Sequence, residues 1–283
     1  MSKFEMLTSK TKIYGLLGYP VKHSLSPLIH NSAFTYLGID ACYLCFETLP
    51  EYIKEAIEGI RALKIEGVNL TIPHKERCLA YLDEIEPLAK EIGAVNTIVR
   101  EGERLVGYNT DAQGFLRALQ ELNFDAKEKT IFLLGAGGAG KAVGITLAKA
   151  GAKCIFIVDK ERKKAEELEE RIKRLSPSTR VEVSSVEEKE KILNANLLVN
   201  ATPLGMNPQD PLPVSPDSLS PSVWVFDLIY SPPETKLLHL ARKRGIKAEN
   251  GLGMLIHQAG LSFQLWTGKQ APLQVMRESI NKK

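Results

Sequence analysis

The sequence predicts an α/β chain in two domains: an N-terminal mixed-sheet α/β unit, then a doubly wound unit of parallel strands, with C-terminal helices returning to the first. Three observations lead there. Apolar runs of strand length alternate with segments of helical periodicity through the first third of the chain. The alternation restarts more strictly at residue 129, opening on a glycine-rich turn. A strongly apolar helical segment, GMLIHQAGLSFQLWTG, follows the end of that second pattern. At roughly 100–200 residues per domain, 283 residues suit two cores.

KIYGLLG reads as the first strand. SPLIHNSAFTYLG reads as a helix with Ser26 as N-cap, Pro27 at the first helical position and Gly38 closing it. ACYLCFE is the next strand. TLPEYIKEAIEGIRALK follows with a capping box from Thr48 to Glu51 and an apolar stripe of Ile53, Ala56, Ile57, Ile60 and Leu63. GVNLT is a third strand, and AVNTIVREGERLVGYNTD reads as a hairpin about Gly102. Strands separated by helices pair in parallel and the hairpin adds antiparallel strands, so the sheet is mixed. In the second pattern KTIFLLG and KCIFIVD are buried strands flanking the helix AVGITLAKAG. The helix ERKKAEELEERIKRL carries a stripe of Ala165, Leu168, Ile172 and Leu175, and NLLVNAT and VWVFDLIY are later strands. The boundaries expected are residues 1–111, completed by 252–283, for the first domain and 112–251 for the second.

Composition narrows the functions. The chain is 44% hydrophobic and 25% charged with a net charge of +3, which gives no reason to expect nucleic acid or an acidic membrane as partner. No window approaches the roughly 18 apolar residues that cross a bilayer. The N-terminus MSKFEMLTSKTK lacks the apolar core of a signal peptide, so a cytoplasmic location is expected. Cys42 and Cys45 form a CxxC, but on a strand positions i and i+3 point to opposite faces, so buried reduced thiols are expected there and at Cys78 and Cys154. No His or carboxylate cluster suggests a metal.

LLGAGGAGKAV supplies Gly135, Gly137 and Gly140 in G-x-G-x-x-G order, directly after a strand and opening a helix. The first glycine permits a tight turn, the second lets a pyrophosphate approach the backbone, and the third lets helix and strand pack closely. Free N–H groups and the helix dipole then favour phosphate. Asp159 lies nineteen residues past Gly140, about where the fingerprint of a Rossmann dinucleotide site places an acid. In the first domain VKHSLSPLIHN carries Ser24 and Ser26, GVNLTIPHKE carries Asn69, Thr71 and Lys75, GAVNT carries Asn96, and GYNTDAQG carries Asn109 and Asp111. Together they gather hydroxyls, amides, an ammonium and a carboxylate near strand ends, a set suited to a polyhydroxylated acid.

The ordered motifs HSLSPxxHN, GVNLTIPHK, GAVNT, GYNTDxxG, GAGGAG, NATPLGM and NGLGMLIHQA run over nearly the whole chain and resemble the shikimate dehydrogenase family, with its quinate/shikimate relatives. The resemblance implies reversible, NAD- or NADP-dependent interconversion of 3-dehydroshikimate and shikimate on the way to aromatic amino acids. It also implies an N-terminal substrate domain completed by C-terminal helices around an inserted Rossmann domain. By the same resemblance Lys75 and Asp111 match the catalytic pair, and Ser24, Ser26, Thr71, Asn96, Tyr230 and Gln258 match substrate contacts. Gly135, Ala136, Gly137, Gly138, Ala139 and Gly140 match the pyrophosphate loop, while Leu228 and Gly251 match positions near the nicotinamide. A monomer or homodimer acting on a small molecule is expected.

Reduction of a ketone leaves a developing alkoxide that needs a proton. Lys75 can polarise that oxygen and supply the proton, with Asp111 orienting the lysine and the substrate hydroxyls. His74, beside Lys75, is expected to serve the loop, and His23 and His257 take no assigned role. Two other readings differ in class or substrate: a quinate-preferring dehydrogenase, set by residues around the carboxylate, and a non-catalytic regulator that binds a dinucleotide and a ring acid. Both serines and the Lys75–Asp111 pair favour shikimate and catalysis.

The stretch IFIVDKERKK carries the cofactor choice. NADP-using members of the family typically have Asn-Arg-Thr where this chain has Asp159, Lys160 and Glu161. A carboxylate repels the 2′-phosphate and suits the ribose hydroxyls of NAD, while Lys160 can meet a phosphate only as a point charge. Arg162, Lys163 and Lys164 sit in the first turn of a helix rich in glutamate and read as a solvated face. NAD preference is therefore expected within a site that takes NAD or NADP. Asp159→Asn with Lys160→Arg is expected to raise kcat/KM for NADP relative to NAD by about tenfold or more, the worth of one charge-assisted hydrogen bond. An unchanged ratio refutes the assignment.

Overall fold

The computed structural model describes residues 7–281. Residues 1–6, the start of the segment read as leaderless, and residues 282–283 lie outside the described residues. The described chain forms two compact units, one running to Thr110 and resuming at Ile256, the other spanning Asp111–Leu255.

The first unit begins with β1 (Lys12–Gly18), α1 (Ser26–Tyr36), β2 (Ala41–Glu47), α2 (Ile53–Ala62), β3 (Gly67–Leu70) and the short α3 (His74–Arg77). After β4 (Glu84–Ile85) and α4 (Pro87–Ile92), β5 (Thr97–Glu101) and β6 (Arg104–Tyr108) close the hairpin predicted about Gly102, whose φ is +65°. The sheet runs β2-β1-β3-β5-β6-β4 and is mixed. β1 pairs in parallel with β2 and β3, and β5 pairs antiparallel with β3 and β6. Ile53, Ile57 and Ile60 of α2 bury one stripe with Leu17, Val68, Leu70 and Ile98, each worth about 1.5–3 kcal/mol removed from water. Leu63, expected on that stripe, lies past the helix end and is 72% exposed.

Two caps differ from expectation. Leu25, not Ser26, takes the N-cap position of α1, and the Oγ of Ser24 accepts the Ser26 N–H at 3.2 Å. The capping box does not form: a 3₁₀ turn at Pro50–Tyr52 intervenes before α2, and Thr48 Oγ1 donates to the Phe46 carbonyl. The prolyl φ suits that tighter turn, which leaves Glu51 in the turn and not at the third position of the helix. α4 was missed although its signals are present: Glu86 accepts from the Ala89 N–H at 3.1 Å, Pro87 opens the helix, and Gly93 closes it at φ +75°.

The second unit starts with α5 (Thr110–Glu121, counted here from Asp111), β7 (Thr130–Leu134), α6 (Gly138–Lys149), β8 (Cys154–Val158) and α7 (Arg162–Leu175). It continues through β9 (Arg180–Val183), α8 (Lys189–Leu193), β10 (Leu197–Asn200), β11 (Trp224–Asp227), α9 (Lys236–Lys243) and β12 (Lys247–Asn250). The order β9-β8-β7-β10-β11-β12 is parallel throughout. That is the doubly wound nucleotide-binding order, with its switch point between β7 and β10. Ala165, Leu168 and Ile172 bury the α7 stripe as predicted, with Leu175 only half-buried. β9, α8, α9 and β12 were not read from the sequence; all are short, the first three follow loops rich in Ser, Pro and Glu, and β12 follows the turn at residues 244–246 directly after α9.

α10 (Leu252–Thr267) is the predicted apolar helix, and α11 (Leu273–Ile280) follows it. From Ile256 onward they belong to the first unit. Trp266 Nε1 donates to the Ile98 carbonyl at 3.0 Å, and a Cβ at Gly67 would come within 2.2 Å of that nitrogen, so this glycine admits the indole. All four cysteines are free among the described residues, but Cys42 and Cys45 are half-buried, not buried as expected. β2 is an edge strand, which leaves one of its flanks uncovered.

His30 stacks on Tyr43 with ring centroids 4.4 Å apart and lies 5.2 Å from the Trp266 ring. It is fully buried, and neither ring nitrogen has a hydrogen-bond partner among the described residues. Burial lowers its pKa from 6.5 to about 3. The unfolded chain therefore takes up this proton first as pH falls. The stability tied to neutral His30 is complete above about 6.5 and drains toward pH 3, at about 1.4 kcal/mol per pH unit. His30→Phe keeps the stack without a titrating group and is expected to flatten the loss of urea midpoint between pH 6.5 and 4.5. A variant that loses stability over that range as steeply as the parent removes His30 from the acid limb.

Candidate active site

Ser24 and Thr71 sit on the turns that follow β1 and β3, with Ser26 and Lys75 in the helices just beyond, and the structure shows why those turns approach one another. The Thr71 N–H donates to the Leu17 carbonyl at 3.0 Å and the Tyr19 N–H to the Ile72 carbonyl at 3.0 Å. Between them Gly18 has no room for a side chain: a Cβ there would lie 2.2 Å from Thr71 Cγ2 and 2.6 Å from Val21 Cγ1. Ser24 and Thr71 are half-buried and Ser26 is buried in the first turn of α1. Lys75 stands half-buried on α3, its carbonyl accepting the Val95 N–H at 2.7 Å, which joins it to the start of GAVNT. His74 is buried, and its Nε2 donates to the Thr48 carbonyl at 2.8 Å. Burial lowers its pKa below the ordinary value. Its expected loop role is what the geometry displays: it ties α3 to the end of β2.

Asn96 is 2% exposed and fixed in direction. Its Oδ1 accepts the Thr110 N–H at 2.7 Å, so its Nδ2 must donate, and does so to Thr110 Oγ1 at 2.9 Å and to Gln258 Oε1 at 3.3 Å. Asn96 and Gln258, 162 positions apart, are thus brought together. Asn69 and Asn109, grouped above with the ligand-facing residues, are committed to the fold. Asn69 donates to the Asn96 carbonyl, Thr97 and Ser262 and accepts from the Tyr43 hydroxyl, and Asn109 donates to the Ala94 carbonyl at 2.8 Å. Ser262 and Thr97 were missed; the signal for Ser262 was its place one helical turn after Gln258 on an apolar helix. His23 is exposed and His257 is buried on α10.

In the second unit the glycines divide by task. Gly135 has φ +96°, and a Cβ there would meet the Ala201 backbone at 2.9 Å. At Gly140 a Cβ would lie 2.0 Å from the Gly135 carbonyl oxygen, so helix and strand meet backbone to backbone. Gly137 is different: a Cβ would meet nothing within 4 Å, and its φ of −72° suits any residue. The turn therefore has a tight side and an open side, and the open side is where a pyrophosphate needs room beside the N-terminus of α6. Ala136, Gly138 and Ala139 complete the turn. Asp159, half-buried at the end of β8, accepts the Ala136 N–H on Oδ2 at 2.7 Å and the Glu161 N–H on Oδ1 at 2.9 Å. Lys160 is exposed, whereas Arg162 pairs with Glu166 and Lys164 with Glu161, both at 2.8 Å, as a solvated helix face would.

At the other side of the switch point the strands end in Asn200 and Asp227, which were quoted within motifs above but given no role. Asn200 Nδ2 donates to Asp227 Oδ1 at 2.9 Å, the Ile229 N–H donates to the same oxygen at 3.1 Å, and Thr235 Oγ1 donates to Oδ2 at 2.7 Å. Asp227 is fully buried, and burial raises its pKa above the ordinary range. These bonds hold the segment of Leu228 and Tyr230, both half-buried. Gly251 completes it, since a Cβ there would lie 2.0 Å from the Leu228 carbonyl oxygen. Asp111 is 4% exposed in the first turn of α5, where the helix dipole favours a carboxylate. Among the described residues no group of three or more His, Cys, Asp or Glu could hold a metal ion, and no helix is long and apolar enough to cross a membrane.

Comparison with known proteins agrees across the full length. The family model described as the Shikimate dehydrogenase substrate binding domain matches residues 16–98, and that of the Shikimate 5'-dehydrogenase C-terminal domain matches residues 251–280. A relative from Caldanaerobacter subterraneus subsp. tengcongensis, named shikimate dehydrogenase (NADP(+)), is 46% identical over 93% of this chain and 94% of its own. A crystal structure of a shikimate dehydrogenase in complex with NADP+ superposes with a TM-score of 0.91 at 41% identity, covering 98% of this chain and 97% of that one. A shikimate 5-dehydrogenase from Listeria monocytogenes in complex with shikimate and NAD gives 0.88 at 36% identity, covering 98% of both chains.

The two kinds of glycine give opposite expectations. Gly137→Ala is expected to leave thermal stability nearly unchanged and to weaken the dissociation constant for the dinucleotide by about tenfold. Gly140→Ala is expected to lose about 1–3 kcal/mol of stability by overpacking. Calorimetry and fluorescence titration of both variants check this, and equal stability losses would remove the distinction.

Proposed function

The chain belongs to the shikimate dehydrogenase family, and from that premise we propose that it interconverts 3-dehydroshikimate and shikimate with NAD or NADP. The observation that carries the reading is the joint presence of a doubly wound sheet with an open glycine turn and a first unit in which Ser24, Ser26, Thr71 and Lys75 follow β1 and β3 and Asn96 is bonded to Gln258 of α10. Relatives named for this activity at 45–46% identity over nearly their whole length support it above a quinate-preferring enzyme or a non-catalytic regulator.

The dinucleotide, when bound, supplies or takes the hydride. Gly135 to Gly140 and the N-terminus of α6 would hold its pyrophosphate, Asp159 its adenosine ribose, and Leu228 and Gly251 would border the nicotinamide. Asp159 has both oxygens already placed by backbone N–H groups, so its carboxylate is oriented before any ligand arrives. Each oxygen has a further lone pair for a ribose hydroxyl. Lys160 is exposed and can still meet a 2′-phosphate, consistent with relatives named for NADP(+).

On the substrate, Ser24, Ser26 and Thr71 supply hydroxyls, and the first two would surround the carboxylate. Asn96, Gln258 and Tyr230 supply hydrogen bonds to the ring hydroxyls. Lys75 acts on the C3 oxygen. In reduction it donates the proton that, with the hydride, completes the alcohol; in oxidation the neutral amine takes that proton back. As the family resemblance implies, Asp111 would orient the lysine and the substrate hydroxyls; the dipole of α5 offsets part of the cost of burying its carboxylate. A cytoplasmic place, with the four thiols free, fits this chemistry.

Initial rates with shikimate and quinate, each with NAD and NADP, test the proposal: absorbance at 340 nm should rise fastest with shikimate. Lys75→Ala is expected to lower kcat by about 10²–10⁴, the usual worth of a positioned acid/base, with the dissociation constant for shikimate changed little. Near-normal turnover in that variant would overturn the assignment of Lys75.

A further inference from the structure

Beneath the amides assigned to substrate lies a set of buried polar side chains that the reaction itself does not call for. Asn69, Asn96, Thr97, Thr110, Gln258 and Ser262 are each under a tenth exposed and form one hydrogen-bonded hub where α10 covers β3 and β5. Ser262 stands at its centre. Its hydroxyl is fully buried and lies 3.0 Å from Asn69 Nδ2, 2.8 Å from Thr97 Oγ1, 3.1 Å from Thr110 Oγ1 and 3.0 Å from the Gln258 carbonyl oxygen. A serine has one proton and two lone pairs. It accepts from Asn69, whose amide N–H groups can only donate, and shares its remaining capacity among the threonine hydroxyls and the Gln258 carbonyl.

We propose that Ser262 is a positioning residue for substrate recognition: through this hub it holds in place the amides that Asn96 and Gln258 present. The inference rests on the reading that those two amides meet substrate hydroxyls. Their direction follows from the one partner that cannot reverse its role, the Thr110 backbone N–H. It requires Asn96 Oδ1 as acceptor, which makes Asn96 Nδ2 the donor to Gln258 Oε1. Gln258 then turns its NH₂ away from Asn96, as a donor for an oxygen of the substrate. Ser262 acts at the other end of the Asn96 amide: the Thr110 hydroxyl that accepts from Asn96 Nδ2 is itself paired with Ser262 and with Thr97, which also leans on Ser262. Ser262 and Gln258 are also one helical turn apart on α10, joined by the Ser262 hydroxyl to the Gln258 carbonyl. A lost hydroxyl here leaves four polar neighbours of a buried site to re-pair, and a shift of the Thr110 hydroxyl that accepts from Asn96 Nδ2 is the nearest way to do so, taking Asn96 and Gln258 with it.

Three variants of the full chain test this, each with steady-state rates for shikimate and for the dinucleotide. Ser262→Ala removes the hydroxyl, Ser262→Cys keeps the volume and replaces a strong hydrogen-bonding group by a weak one, and Ser262→Thr keeps the hydroxyl. Ser262→Ala and Ser262→Cys are expected to raise KM for shikimate by about tenfold, with kcat changed less and KM for the dinucleotide unchanged; Ser262→Thr should restore KM. Added to Gln258→Ala, Ser262→Ala should raise KM less than it does alone. The proposal is overturned if Ser262→Ala and Ser262→Cys leave KM for shikimate unchanged while Gln258→Ala raises it, a result that leaves the site assignment standing. It is also overturned if both KM values rise together or if Ser262→Cys fails to fold, since the hydroxyl would then serve the fold alone. If neither Gln258→Ala nor Asn96→Ala moves KM for shikimate, the site assignment itself falls, and the inference with it.

Discussion

The constraint on which the first unit depends is the satisfaction of buried amides where a helix from the far end of the chain meets its sheet. β3 carries Asn69, β5 carries Thr97 and Asn96 directly precedes β5, all at positions that α10 helps to remove from water. An unpaired amide in such a place costs roughly 1–3 kcal/mol, so the helix must bring partners and bring them in register. Ser262 and Gln258 are those partners, and Trp266 adds a third bond at the Ile98 carbonyl. An apolar helix could cover the same area in several rotations; one that must pair Asn69, Asn96 and Ile98 at once has a single seat. Residues from Ile256 onward close the first unit, their buried apolar side chains covering it and these bonds fixing the seat of α10.

The second unit meets a related demand at the carboxyl ends of its strands, where loops for binding must be held without a core around them. Here the solution is short side chains gripping backbone. Asp159 holds the N–H of Ala136 inside the glycine turn, Asn200 holds the Thr202 N–H, and Asp227 holds the Ile229 N–H. Each is the polar residue that ends or follows an apolar strand. Thr235 links this set to α9, because its hydroxyl donates to Asp227 while accepting from the Leu238 N–H as the helix cap. The buried Asp227 carboxylate thereby gains the favourable end of a helix dipole in place of a cationic partner.

These facts explain what the sequence could and could not disclose. Periodicity located β1, β3, β7, β8 and the stripe of α7, because the apolar residues of each repeat at the period of their element. The glycine turn was legible because φ and close backbone approach restrict Gly135 and Gly140 to glycine, while a pyrophosphate asks for space at Gly137. Local cap rules failed at Ser26 and Thr48: Ser24, two residues upstream, serves the start of α1, and Thr48 turns its hydroxyl to the Phe46 carbonyl while its own carbonyl meets His74. The hub residues were hidden for another reason. Thr97 and Ser262 are 165 positions apart, and the one local sign, the place of Ser262 a helical turn after Gln258, does not name Thr97 as its partner. Asn69 looked like a ligand residue because it stood among ligand residues, yet its amide is consumed by the fold. A polar side chain near a site motif is evidence of a demand for hydrogen bonds, and only geometry says whether protein or ligand makes the demand.

Asp159 shows both demands on one carboxylate. Its two oxygens hold two backbone N–H groups, one in the phosphate turn and one at the start of α7. An asparagine in its place offers a single acceptor oxygen, so it can serve one of those groups well and must present an NH₂ near the other. Exchange of the acid therefore changes the stiffness of the glycine turn as well as the charge beside the ribose. The two effects separate by ligand. Loss of repulsion favours only a cofactor that bears a 2′-phosphate, whereas a looser turn weakens every ligand that places a pyrophosphate beside Gly137. The acid at the end of β8 is thus part of the turn's construction, and cofactor choice is built on a residue the fold already uses.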